Sequence, residues 1–157
     1  MPQNVMEIHN IALPQVRQAC RVALLEVLET MFFELPVAEL EVVEAPVETS
    51  CLIRASFHGS AGGAMQLAIS CQICGRLAAA FLGKETDEVT CAERCSTARE
   101  LANMLCGASL SRLQPQGRLS IGTPESVDEA DPESGPWLRY PLEGGSIDVA
   151  LRYGEGI

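Results

Sequence analysis

Residues 96–107, STARELANMLCG, hold a hydroxyl, a carboxylate, an amide and a glycine at spacings that a single helix would bring together. At about 100° per residue, Ser96, Glu100, Asn103 and Gly107 fall within about 60° of one another, one polar strip with small residues at both ends. Asn is a below-average helix former because its amide competes for backbone hydrogen bonds, and Gly107 costs a helix roughly 1 kcal/mol relative to Ala. Either the strip is an ordinary solvated face, on which Glu is common and Asn merely tolerated, or that face has a task. The cysteines are the other candidates for chemistry. Cys71-x-x-Cys74 with Cys91-x-x-x-Cys95 offers four thiols for zinc or an iron–sulfur cluster, and a Cys-x-x-Cys at a helix start also permits a redox role. Against this, the wheel that exposes the polar strip turns Cys91, Cys95, Ala98, Leu101, Ala102, Leu105 and Cys106 to the opposite, core side. There they are expected to act as small buried hydrophobes, with no metal of the chain's own. His9 and His58 are isolated and expected at the surface. Gly59-Ser60-Ala61-Gly62-Gly63 leads into neither a Lys nor a helix, so it is a hairpin turn and not a phosphate loop.

The elements that must position the strip follow from periodicity. Residues 14–34 space Val16, Ala19, Cys20, Ala23, Leu24, Val27, Leu28 and Met31 as an amphipathic helix, with Pro14 in its first turn and Pro36 as its stop. A strand at 40–46 precedes two β-type runs, TSCLIRASFHG and AGGAMQLAIS, that form a hairpin. A short apolar helix at 71–83 closes on Gly83, and a charged turn offers Asp87 or Thr90 as cap for the long helix 90–113. GRLSIGTP supplies a short strand. Residues 125–135 read as a flexible acidic loop too polar to pack, and PWLRYPLEGGSIDVALRY turns at Gly144-Gly145 into a second hairpin. The expectation is a single α+β domain over 1–157 with an N-terminal tail at 1–13: an antiparallel sheet packed against long helices. The two hairpins, and the phrases LETMFF (28–33) and LANMLC (101–106) before them, align as two helix–strand–hairpin halves. That alignment sets Val27 and Thr30 where the second half has Glu100 and Asn103.

A chain of 157 residues is long enough to bury about 68–70% of its unfolded surface without metal or disulfide. Eleven Lys and Arg against 21 Asp and Glu give a net charge of −10, a field that repels phosphate backbones and anionic membranes, so neither nucleic acid nor a membrane is an expected partner. No apolar run approaches the ~20 residues of a spanning helix, and the first ten residues lack a basic region followed by an apolar one. The expected location is the cytoplasm. Its reducing conditions argue against reading the seven cysteines as a disulfide framework.

Taken together, Ser96-x-x-x-Glu100-x-x-Asn103-Met104-x-x-Gly107, the short strand ending in Gly122-Thr123-Pro124 and the partial copy at 28–33 resemble the CheX/CheC-type phosphatases of bacterial chemotaxis, the single-site CheX kind most closely. The family motif is an Asp or Ser, three residues, Glu, two residues, Asn, and a more distant Pro. Pro124 follows Asn103 with twenty residues between, a slightly shorter gap than the family's. The resemblance implies a CheC-like fold and hydrolysis of the aspartyl phosphate of a response regulator such as phosphorylated CheY. It assigns Asn103 to hold the attacking water in line with the P–O bond, which suits a neutral amide, and Glu100 to the regulator's active-site Lys. The regulator would supply its own Mg²⁺, carboxylates and Lys. Ser96 and Gly107 would then permit close approach, and Met104 would add a soft apolar contact. Two-site relatives carry a Glu–Asn pair in each half; Val27 and Thr30 cannot do that work, so one site per chain is expected. A homodimer through sheet edges, by way of an exposed second hairpin, is a further implication. The rival is a module of the same fold that docks a regulator or flagellar-switch component without hydrolysing anything.

Overall fold

The computed structural model describes residues 7–48 and 51–155. Residues 1–6 of the expected tail, and Thr49-Ser50 at the head of the first hairpin, lie outside them. The elements are β1 (Glu7–His9), α1 (Pro14–Phe32), β2 (Glu41–Val43), β3 (Cys51–Gly59), β4 (Ala61–Ile69), α2 (Cys71–Leu82), α3 (Cys91–Leu113), β5 (Leu119–Ile121), β6 (Glu125–Ser126), β7 (Trp137–Leu142) and β8 (Gly145–Glu155). This is the expected α+β arrangement: among the described residues, one eight-stranded antiparallel sheet, three α-helices and a single 3-10 turn at Thr86–Glu88. None of those helices is long and apolar enough to cross a membrane.

The sheet runs β2-β7-β8-β4-β3-β5, with β6 also on β3 and β1 on β8. β2 therefore edges the β7–β8 hairpin, and β5 edges the β3–β4 hairpin. One consequence corrects the sequence expectation: the second hairpin is not an exposed edge. β8 lies between β7 and β4, and β2 covers β7. The edges fall instead to strands of two or three residues, which offer little for another chain to pair with.

One face of the sheet carries the main core. Ile53, Ala55 and Phe57 of β3, Met65, Leu67 and Ile69 of β4, and Val149, Leu151 and Tyr153 of β8 meet Leu24 and Leu28 of α1, Ile73 and Leu77 of α2, and Leu101, Leu105 and Cys106 of α3. Burial pushes the thiols of Cys20 and Cys106 up to about 12, so both behave as inert hydrophobes.

The opposite face is also covered, which the acidic composition of 125–135 hides. Trp137, Ala68 and Ala150 form a second apolar cluster with Val43, Val47, Leu52 and Ala130 packed against it. Glu125 and Ser126 pair with β3, Val127 N–H donates to the Leu52 carbonyl, and Asp131 N–H donates to Gln66 Oε1 at 2.8 Å. The segment is thus a laid-down cover, its carboxylates turned outward and its backbone satisfied by the sheet. The tail is corrected likewise. Residues 7–9 pair with β8, beyond the end of β7, and Ile11 is fully buried.

Two local departures have simple causes. α1 stops at Phe32, before Pro36, because Phe33 turns left-handed (φ 59°). Cys91 is exposed and Cys95 half-buried, because α3 buries no residue before Thr97: the helical period continues past the edge of the core, where no face is an inner one.

Candidate functional site

α3 starts where the sequence provides a reciprocal cap. Thr90 Oγ1 accepts the Glu93 N–H at 3.1 Å, and Glu93 Oε1 accepts the Thr90 N–H at 3.0 Å. Lys84 donates to the same carboxylate at 2.7 Å and, with the Thr90 bond, holds it below its ordinary range. Thr97, Ala98, Leu101, Ala102, Leu105, Ser109 and Leu110 then seat the helix on the core. With that face fixed, Ser96, Glu100 and Asn103 are all exposed, on the strip that the wheel predicts.

Facing the strip is an edge strand with a deliberate interruption. Ile121 of β5 pairs with Phe57 and Glu125 of β6 pairs with Arg54. Three residues, 122–124, thus oppose two on β3, the count of a bulge. Gly122 N–H still reaches the Ser56 carbonyl at 2.8 Å, but Pro124 has no N–H to continue the ladder. The bulged residues form the far wall of a groove of about 370 Å³ whose lining includes Ser96, Glu100, Asn103, Gly122, Thr123 and Pro124. Pro124, despite its shortened spacing, is brought to the same groove as the Glu and the Asn.

The remaining predicted residues lie differently. Met104 is half-buried and leans on the core, and Gly107 is half-buried, with Ile121 Cδ1 3.8 Å from where a β-carbon would stand. Thr30 is exposed on α1 and Val27 packs against the core. On the α2 side, Glu100 and Ser96 share a second depression with Phe81 and Leu82, both partly exposed.

Sequence reasoning missed Arg99 and Ile121, which line the same groove. Arg99 had a signal. It stands four residues before Asn103, about 40° away on the wheel, closer than Glu100 is.

Two cysteines from different elements meet. Cys51, at the start of β3, accepts a hydrogen bond from Cys74 of α2, so its thiol is lowered by that bond, with burial opposing and the Arg99 charge adding to it. Cys74 is raised, first by the same bond and then by burial. Cys71 is exposed. Among the described residues no three or more His, Cys, Asp or Glu side chains are grouped to hold a metal. His9 is half-buried with its ring 6.0 Å from that of Tyr153, and His58 is exposed; neither is among the groove's lining residues.

An open groove between a helix and a sheet edge, with an acid, an amide and a cation on its rim, does not enclose a small substrate. It presents side chains outward.

The family model for the chemotaxis phosphatase CheX matches residues 51–135, more than half of the chain and the part that contains α3 and the bulge. A comparison with curated proteins finds no sequence match. Among solved structures, the chain is similar to the chemotaxis protein CheX from Desulfovibrio desulfuricans (17% identity, TM-score 0.69, covering 87% of this chain and 97% of that one). It is equally similar to CheX from Vibrio vulnificus (15%, 0.70, 88% and 99%). A chain of the CheX–CheY–BeF3–Mg²⁺ complex from Borrelia burgdorferi also matches (14%, 0.66, 90% and 96%). At such identities the structural likeness speaks for the fold, and the family assignment stands on the sequence model: the chain belongs to the CheX family of chemotaxis phosphatases.

Proposed function

We propose that the α3 groove docks a phosphorylated CheY-like response regulator and hydrolyses its aspartyl phosphate. The observation that carries this reading is the joint exposure of Glu100 and Asn103 on one helix face, opposite Pro124 across an open groove. A site that presents side chains outward suits a substrate that brings its own active site.

The regulator holds the Mg²⁺ and most of the charge-stabilising groups, so the phosphatase has little covalent chemistry to supply. What is missing is a water held in line with the scissile bond. Asn103 accepts that water at its amide oxygen or donates to it, adding no negative charge beside the phosphoryl group. Water oxygen bonds to phosphorus as the bond to the aspartyl oxygen breaks, releasing inorganic phosphate and a free carboxylate. Glu100 pairs with the regulator's active-site Lys, which fixes the approach of α3 and keeps its own carboxylate off the phosphoryl group. Ser96 and Gly107 leave the surfaces free to close, and Phe81 and Leu82 border Glu100 with apolar contact area.

The test is loss of radiolabelled phosphate from a phosphorylated CheY-like regulator with and without the protein. Asn103→Ala is expected to slow hydrolysis at least about 100-fold with a small change in KM, whereas Glu100→Ala raises KM as well. Full activity in Asn103→Ala sinks the mechanism. Binding without any acceleration by the native protein would leave a docking module in its place.

A further inference from the structure

We propose that Arg99 is a specificity residue of this site, the cation that makes docking conditional on the regulator's phosphoryl group; the inference rests on the α3 groove being the regulator's binding face. Arg99 lines the groove with Asn103 and Thr123, and its charge is felt at Cys51 on the sheet below. In a chain with 21 acidic residues, it has no hydrogen bond and no carboxylate within ion-pair distance among the described residues. Arg76, Arg112, Arg139 and Arg152 each have a carboxylate partner; of the arginines for which the described residues supply none, Arg99 is the one that lines this groove. A groove arginine kept unpaired is available to an anion brought from outside.

The helical positions say which anion. Asn103 lies about 40° from Arg99 and about 60° from Glu100, on opposite sides, so the amide is flanked by a cation toward the bulge and an acid toward Phe81 and Leu82. Adjacent residues on a helix do not face each other, so Glu100 does not neutralise Arg99. If Asn103 stands at the reacting water and Glu100 at a lysine, the third group stands beside the phosphoryl oxygens. A planar guanidinium presents two parallel donors to such oxygens. It also answers an electrostatic difficulty: a molecule of net charge −10 approaching an anionic centre needs a local cation.

The experiment compares binding of a CheY-like regulator with and without beryllofluoride as the phosphoryl mimic. The native protein is expected to prefer the beryllofluoride form. Arg99→Gln should lower affinity for that form about 10- to 100-fold, the range for a charge-assisted hydrogen bond, and leave affinity for the bare regulator unchanged. Arg99→Lys should recover part of the preference, keeping the charge without the fork. An equal loss for both forms would place Arg99 on a carboxylate of the partner and overturn the proposal, as would an unchanged ratio in Arg99→Gln. A native protein that binds neither form overturns the docking reading itself. Matching thermal melts of the variants separate these outcomes from misfolding.

Discussion

Nothing in the fold requires Gly107. Its φ is not left-handed, and a β-carbon there would make only an ordinary 3.8 Å contact with Ile121 Cδ1. Gly59 and Gly63 differ: positive φ and backbone oxygens about 2 Å from any added β-carbon hold them in the first hairpin. Gly107→Ala should therefore stabilise α3 by about 0.5–1 kcal/mol, since Gly is the poorer helix former. If the glycine is kept to let a partner's surface close on the strip, the same change lowers affinity for the regulator. A higher melting point together with weaker regulator binding is the expected result; a rise in both would free Gly107 of any interface role. The candidate groove was legible at this scale because Ser96, Glu100 and Asn103 of its lining sit on one helix, where spacing alone sets direction. Arg99 is as legible by spacing, since its offset of about 40° from Asn103 is shorter than that of Glu100, about 60°.

At the scale of elements, helix limits and hairpins were readable where a local residue enforces them: Pro14 and left-handed Gly83 stand where the sequence sets them, and of the two caps it offers, Asp87 and Thr90, the structure uses Thr90. The end of α1 was not, because its cause is tertiary. Glu34 is held by Arg76 at 2.6 Å, and its carbonyl accepts the Tyr140 hydroxyl at 3.0 Å. The chain must leave the helix at Phe33 to make those bonds, and Phe33 adopts φ 59°, ψ 35° while 79% exposed. A left-handed non-glycine residue costs roughly 1–2 kcal/mol, and so exposed a ring recovers little of it by packing. Phe33→Gly is expected to raise stability by about 0.5–1 kcal/mol after the added freedom of the unfolded chain is counted, measured by denaturant midpoint. A loss of stability would mean that the ring packs more than its exposure indicates.

For the whole molecule, the pairing order and the covered outer face were the least legible features, because both depend on residues far apart in sequence and leave no local period. An acidic, proline-containing stretch looks like a free loop when its partners, Gln66 and Leu52, are out of view. The bond network that ties that outer layer down is therefore the place to test the architecture. Asp148 of β8 is fully buried; Arg139 of β7 reaches it through Nε at 3.0 Å and Nη2 at 2.8 Å, and Val47 N–H, from the segment after β2, donates to it at 2.7 Å. The two halves of the pair are not equivalent, since the Arg139 side chain keeps 28% exposure. Removing Asp148 as Asn leaves a guanidinium that water still reaches, whereas Arg139→Ala strands a carboxylate with one backbone donor. Breaking a buried pair from the costly side takes about 3–5 kcal/mol, so Arg139→Ala should lose that much and Asp148→Asn clearly less, by chemical denaturation. Neither residue lines the α3 groove, which opens on the helical side of the sheet. Hydrolysis per folded molecule should stay at the native level in Asp148→Asn. Equal losses in the two variants would show that water reaches Asp148 as readily as Arg139, and a fall in activity per folded molecule would mean that the outer layer sets the shape of the bulge through β3.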